Sequence, residues 1–217
     1  MDELFKSISA CSVLIPLFIG ILCYRSFDRN SKIMFVLILL ALIPQSAALV
    51  FTEKKYGTYT SILYNCYALA DPLIWSILFF QNIRNKKLKR IVAIIPVAQV
   101  LLWLYLLFTK DIERSLFKEM ICFTSVIQVL WIVVILYELF KSEAFLKLET
   151  RPLFWFCLAL IIYAPTTYFL FVFVKEIKAQ GSTLGYLWNI HSVLNTMMYC
   201  TIAYGFWVNK ENEFKLT

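Results

Sequence analysis

Seven apolar runs divide this 217-residue chain, at about 8–25, 33–51, 59–80, 91–108, 120–140, 153–174 and 186–208. Each is roughly 18–24 residues long, and about 20 apolar residues in a helix rising 1.5 Å per residue cross the hydrocarbon of a bilayer. Lipid offers no hydrogen bonds to a main chain, so such runs must close their own bonds, which an α-helix does within one segment. The connections are short and hold nearly all the charge. With 61% hydrophobic and 16% charged residues, the chain has no stretch left for a soluble domain. The expectation is all-α: a polytopic membrane protein whose 217 residues form one seven-helix transmembrane domain.

The charges orient this bundle. Of the 21 Lys and Arg residues, 13 fall in the loops after segments one, three and five and in the tail, and 8 fall on the opposite face. The heaviest cluster is Arg84, Lys86, Lys87, Lys89 and Arg90. Positive loops stay in the cytoplasm, which puts the amino terminus outside and the carboxyl terminus inside. The net charge of +7 is thus a topology signal touching anionic lipid, and nucleic acid is not expected as a partner. The first segment lacks a clearly basic start and a small-residue cleavage site, so it reads as a retained helix rather than a leader.

Prolines 16, 44, 72, 96 and 165 each interrupt a run, while Pro152 opens the sixth, where a helix start tolerates it. A mid-span proline kinks its helix and frees a carbonyl, which suits hinges around a cavity as well as ordinary membrane-helix shaping. The six cysteines show no metal-ligand spacing and read as small packing residues. A lone histidine and a lone deep aspartate are too few ligands for a metalloenzyme, and no metal or other cofactor is expected. Nucleophile elbows, Walker loops and zinc-protease motifs are absent from the sequence, so an enzyme is not expected either.

Polar residues inside spans are costly and usually functional. Two stretches carrying them echo one another: Leu63-Tyr64-Asn65 followed by Asp71, and Leu187-Trp188-Asn189 followed by Asn195. Both follow proline-interrupted runs, and aligning Pro44 with Pro165 extends the match. Segments one to three would then recur as five to seven, with the fourth as a linker, giving a parallel 3+1+3 repeat. On segment seven, Trp188, His191, Ser192, Asn195 and Tyr199 share a face by the spacing of three and four; on segment three, Tyr64, Tyr67, Ala68, Asp71 and Trp75 do. Gln45, Gln99 and Gln128 add carboxamides at mid-depth. The candidate ligand-binding set is Gln45, Asn65, Asp71, Trp75, Asn189, His191 and Asn195. In this set Asp71 is the deep charge and His191 the group whose ordinary titration range lies nearest neutrality.

Trp188 to Asn195 in segment seven, Phe154-Trp155 with Tyr163 in segment six, and Leu63-Tyr64 with Tyr67 and Asp71 in segment three resemble a recurring pattern of small heptahelical bacterial membrane proteins without an assigned activity. In that pattern acidic residues sit near Gln45 and Asp71 and a histidine near Asn65; this chain keeps Asp71 alone. The resemblance implies a multi-pass protein of the bacterial cytoplasmic membrane. The 3+1+3 order is also similar to that of the SWEET and PQ-loop carriers, whose third and seventh helices supply paired asparagines to the substrate site; Asn65 and Asn189 sit where such a pair would be. Pro44-Gln45 lies in the second helix here, not in the first helix of each repeat as in PQ-loop proteins.

Two functions follow as expectations. The first is a carrier for a small polar solute bound between helices three and seven, with Asp71 and His191 as proton-coupling groups. The second is a sensory or accessory protein that relays a ligand signal to a partner protein.

Overall fold

A computed structural model describes residues 2–50, 57–141, 148–173 and 185–214. The charges at Lys54, Lys55, Lys147, Lys175, Lys178 and Lys215, and the side chain of Trp188, lie outside the described parts. Within them every long element is a helix: α1 Asp2–Cys11, α2 Leu14–Cys23, α3 Arg29–Val50, α4 Gly57–Asn82, α5 Lys86–Thr109, α6 Lys118–Phe140, α7 Pro152–Val172 and α8 Gly185–Phe214. Six stretches are long and apolar enough to cross a membrane: Ser7–Ser26, Arg29–Ala47, Tyr59–Asn82, Lys86–Thr109, Lys118–Phe140 and Pro152–Val172. The seventh expected span corresponds to α8, whose 30 residues suffice in length. Its apolar character is diluted by Asn189, His191, Ser192 and Asn195.

The first span is two helices, not one. Pro16 has no N–H to donate to the Ser12 carbonyl, and its ring would strike that carbonyl in a straight helix. The chain instead turns at Ser12–Val13, where the Ser12 carbonyl accepts from the Ile15 N–H at 3.1 Å and the Ser12 hydroxyl donates to the Ser9 carbonyl at 2.6 Å. Prolines 44, 72, 96 and 165 remain inside α3, α4, α5 and α7. Just beyond two of them, Ser46, Thr166 and Thr167 fold their hydroxyls back onto the carbonyls of Ile43, Ile162 and Tyr163, at 3.0, 3.0 and 2.9 Å. Such back-bonding bends helices further. The basic helix α5 starts at Asn85, whose side chain caps the Lys87 N–H at 2.9 Å.

Helix packing closes a ring. α1 and α2 pack on α3 and α8, α3 on α4, α4 on α6, α6 on α7, and α7 on α8, while α3 reaches across to α7. α5 stays outside this ring, against α4 and more lightly α6. Only 17% of its apolar window is buried, against 33–44% for the other spans. Its outward residues Ile91, Ile94, Val97, Leu101, Tyr105 and Phe108 are exposed at helical spacing and present a lipid-facing stripe.

Core and cavity divide the bundle lengthwise. Toward the end bearing Ser26, Arg29 and Ile83, the interior is solid and aromatic. Phe27 stacks on Phe206 at 4.8 Å, and Phe206 also meets Phe35 at 6.2 Å and Phe156 at 5.5 Å. Each such pair adds about 0.5–1.5 kcal/mol beyond the area it buries. Two glycines let these rings in: a Cβ on Gly20 would stand 2.5 Å from the Phe35 ring, and one on Gly205 would stand 2.7 Å from Phe156. Polar ties hold the same end. Asn82 and Asn30 exchange amide bonds at 2.8 and 3.3 Å, the Asn209 amide donates to the Ser26 carbonyl at 2.8 Å, and the Arg84 N–H donates to Glu138 Oε2 at 2.9 Å. Glu138 thus accepts from a main-chain N–H between two helices.

Candidate functional site

The opposite half of the bundle is hollow. A cavity of about 850 Å³ lies inside the ring, walled by residues of α1, α3, α4, α6, α7 and α8 and by Leu116. Helix α4 contributes Tyr64, Tyr67, Ala68, Asp71 and Trp75, one face at intervals of three and four residues. Helix α8 contributes His191, Ser192, Asn195, Met198, Tyr199 and Ile202 in the same manner. Gln45 enters from α3, Thr124, Ser125 and Gln128 from α6, Tyr163 and Thr167 from α7, and Ser7 and Ser9 from α1. The volume falls in the range of small-molecule sites, and the mix of aromatic walls with a few placed polar groups is their usual composition.

Polar groups on this wall are held by neighbours on adjacent helices. The Gln128 amide donates to Asp71 Oδ2 at 2.9 Å, and the Tyr67 hydroxyl, one turn away, donates to Asp71 Oδ1 at 3.5 Å. Across the cavity, the Asn195 amide donates to the Ser9 hydroxyl at 2.9 Å and to the Ser9 carbonyl at 3.3 Å. His191 lies against the Tyr163 ring, centroids 5.3 Å apart and tilted by 31°. Helix-to-helix hydrogen bonds in membranes average only about 0.6 kcal/mol each. That is too little to explain, as glue alone, a carboxylate placed deep in a span, where insertion costs about 2.5–3.5 kcal/mol.

Five of the seven sequence-proposed residues line the cavity: Gln45, Asp71, Trp75, His191 and Asn195. Asn65 and Asn189 do not. Asn65 is fully buried and already occupied. Its Oδ1 accepts from the Phe117 N–H at 2.9 Å, and its Nδ2 donates to the carbonyls of Ser115 at 2.8 Å and Ile112 at 3.2 Å. Its own carbonyl takes the Trp103 indole N–H at 2.9 Å. Asn65 is therefore a staple that binds the α5–α6 connection to the bundle and brings Leu116 to the cavity rim. Asn189 sits on α8 two positions before His191, turned off the cavity face. The reason is angular: at 100° per residue, neither asparagine lies on the stripe defined by the three-and-four spacing. Gln99 is likewise off the wall, buried on the peripheral helix α5.

Other wall residues had weaker sequence signals. Thr124 and Ser125 sit one turn before Gln128, and Thr167 sits one turn beyond Tyr163. Polar side chains one turn apart, Thr124 and Ser125 before Gln128 and Tyr163 before Thr167, were the available clue. Among the described residues, no three His, Cys, Asp or Glu side chains gather closely enough to hold a metal ion. Compared with protein-family models, curated proteins and solved structures, the chain matches none.

Proposed function

We propose that this protein binds a small polar solute in the cavity between α4 and α8 and carries it across the membrane of a bacterial cell. The observation that carries the reading is the polar, aromatic-walled cavity in one half of the bundle, set against the aromatic plug in the other. A hollow closed on one side by packed rings is the form expected of a carrier in one of two alternating states. By the charge distribution, the hollow half faces outside with the amino terminus, and the plug faces the cytoplasm. The bundle holds and moves its ligand without chemical change.

A 3+1+3 repeat supports the same reading. Residues of α4 and α8 displaced by 124 positions face the cavity together: Tyr67 with His191, Ala68 with Ser192, Asp71 with Asn195, and Trp75 with Tyr199. On α3 and α7 the cavity-facing pairs are Ile38 with Leu160, Gln45 with Thr167, and Leu49 with Phe171, one residue off the alignment of Pro44 with Pro165. The two clamps correspond as well, α6 Gln128 to α4 Asp71 and α1 Ser9 to α8 Asn195. Contacts of α4 with α6 match those of α8 with α1 and α2, and α3 meets α7 at the centre. Two half-bundles hinged at their interface could rock around this site.

The test is uptake of a panel of labelled amines, amino acids and sugars into vesicles containing the purified protein. At least one should enter at a saturable rate, and Asp71→Asn should lower that rate at least tenfold. Saturable binding without entry for any solute would favour the sensory reading with a partner protein. Neither binding nor entry would reject both.

A further inference from the structure

Resting on that binding reading, we propose that the solute is a small organic cation, held between the Asp71 carboxylate and the aromatic rings that surround it. Three observations converge on this class.

The first is charge. Asp71 brings one carboxylate to a wall that includes no lysine or arginine among the described residues. Neither of the ion pairs among those residues, Lys110–Glu119 and Arg114–Asp111, involves it. Among the described residues of the wall, an anionic ligand would meet this carboxylate with no compensating cation.

The second is hydrogen-bonding capacity. An ionised carboxylate offers about four acceptor positions. The Gln128 amide and the Tyr67 hydroxyl fill two, one on each oxygen, and the Trp75 indole one turn on is a third neutral donor to the group. These neutral donors aim the group and leave its charge uncompensated. Asp71 lines the cavity, so a ligand can supply the missing positive charge.

The third is the ring content. Tyr64, Tyr67 and Trp75 flank Asp71 on its own helix face, and Tyr163 and Tyr199 stand on α7 and α8. Aromatic faces attract ammonium groups, by about 0.5–1 kcal/mol at exposed sites and about 2 where water is excluded. A neutral ligand could donate a hydrogen bond to the carboxylate but would leave its charge unneutralised, and it would gain less from the rings. The polar groups on the far wall, Asn195, Ser192 and Gln45, can then hydrogen-bond a hydroxyl or amide at the other end of the ligand.

The experiment compares three probes of one shape on the full chain in lipid nanodiscs: choline, its uncharged carbon analogue 3,3-dimethylbutan-1-ol, and the anion 3,3-dimethylbutanoate. Calorimetry should show saturable choline binding at least tenfold tighter than that of the alcohol, with no saturable binding of the anion. Asp71→Asn should bring choline down to the level of the alcohol measured on the same variant. If that variant does not fold, choline against alcohol on the unaltered chain decides alone. Equal affinity for choline and the alcohol, tighter binding of the anion, or choline binding indifferent to Asp71→Asn overturns the assignment. Silence from all three also overturns it. Amino acids and sugars run beside them judge the broader reading, which fails only if they too are silent.

Discussion

At the scale of single residues, the contrast between Asp71 and Asn65 is the most instructive. Six positions apart on α4, one faces a cavity and the other is consumed by main chain. Asn65 satisfies three main-chain groups of the α5–α6 connection at once, including the N–H of the fully buried Phe117. Asn65→Ala leaves that N–H buried without an acceptor, a loss of about 1–3 kcal/mol, well above the ~0.6 kcal/mol of an average interhelical bond. Asn65→Asp keeps the acceptor but sets a carboxylate against the carbonyls of Ile112 and Ser115, so it should cost at least as much. Unfolding in detergent monitored by circular dichroism checks both; a variant as stable as the parent would show that the staple is dispensable. This residue also marks the limit of sequence reading. The Leu-aromatic-Asn echo made Asn65 and Asn189 look like a matched ligand pair. The surroundings of Asn65 depend on a connection about 50 residues away, which no local spacing encodes. By contrast, the faces holding Asp71, Trp75, His191 and Asn195 were legible, because three-and-four periodicity fixes direction within a helix wherever its neighbours lie.

Among the elements, close approach is set by glycine and direction by proline. The break of the first span at Ser12–Val13 follows from Pro16, and the sequence signalled an interruption there without saying that the helix would end and restart. Gly205 on α8 admits the ring of Phe156 from α7, and Trp155 Cβ lies 3.2 Å from where a methyl would stand. Phe156 is fully buried against Phe206 and has no room to swing aside. Gly205→Ala should therefore lower stability by about 1–3 kcal/mol through overpacking. A fall of several degrees in the thermal unfolding midpoint would register it; an unchanged midpoint would mean that α7 and α8 can separate freely at the plug. The peripheral place of α5 was less legible. Its sequence is as apolar as its neighbours, and only packing reveals that its stripe from Ile91 to Phe108 is left outside the ring.

For the whole molecule, the division into a packed half and a hollow half is what gives the bundle a function to propose. Composition and run length announced an all-helical membrane chain, and six stretches of the described residues meet the length and apolarity needed to cross. The seventh is as long but more polar, because it lines the cavity along much of its length. Which helices would be neighbours was beyond reach of the sequence, since apolar segments of equal length are interchangeable until side chains interlock. The ring of α1–α2, α3, α4, α6, α7 and α8, with α5 outside, came from those contacts.

The central claim, that the cavity is a solvated site reached from one side of the membrane, is tested most directly at Ser192. This buried residue sits on the cavity wall beside His191. In a chain whose six native cysteines are replaced, Ser192→Cys is exposed to a membrane-impermeant thiol reagent applied to each face of oriented vesicles. The account predicts rapid modification from the face bearing the amino terminus, slowed by a bound solute, and little from the other face behind the aromatic plug. A cysteine there that reacts from neither face would contradict it.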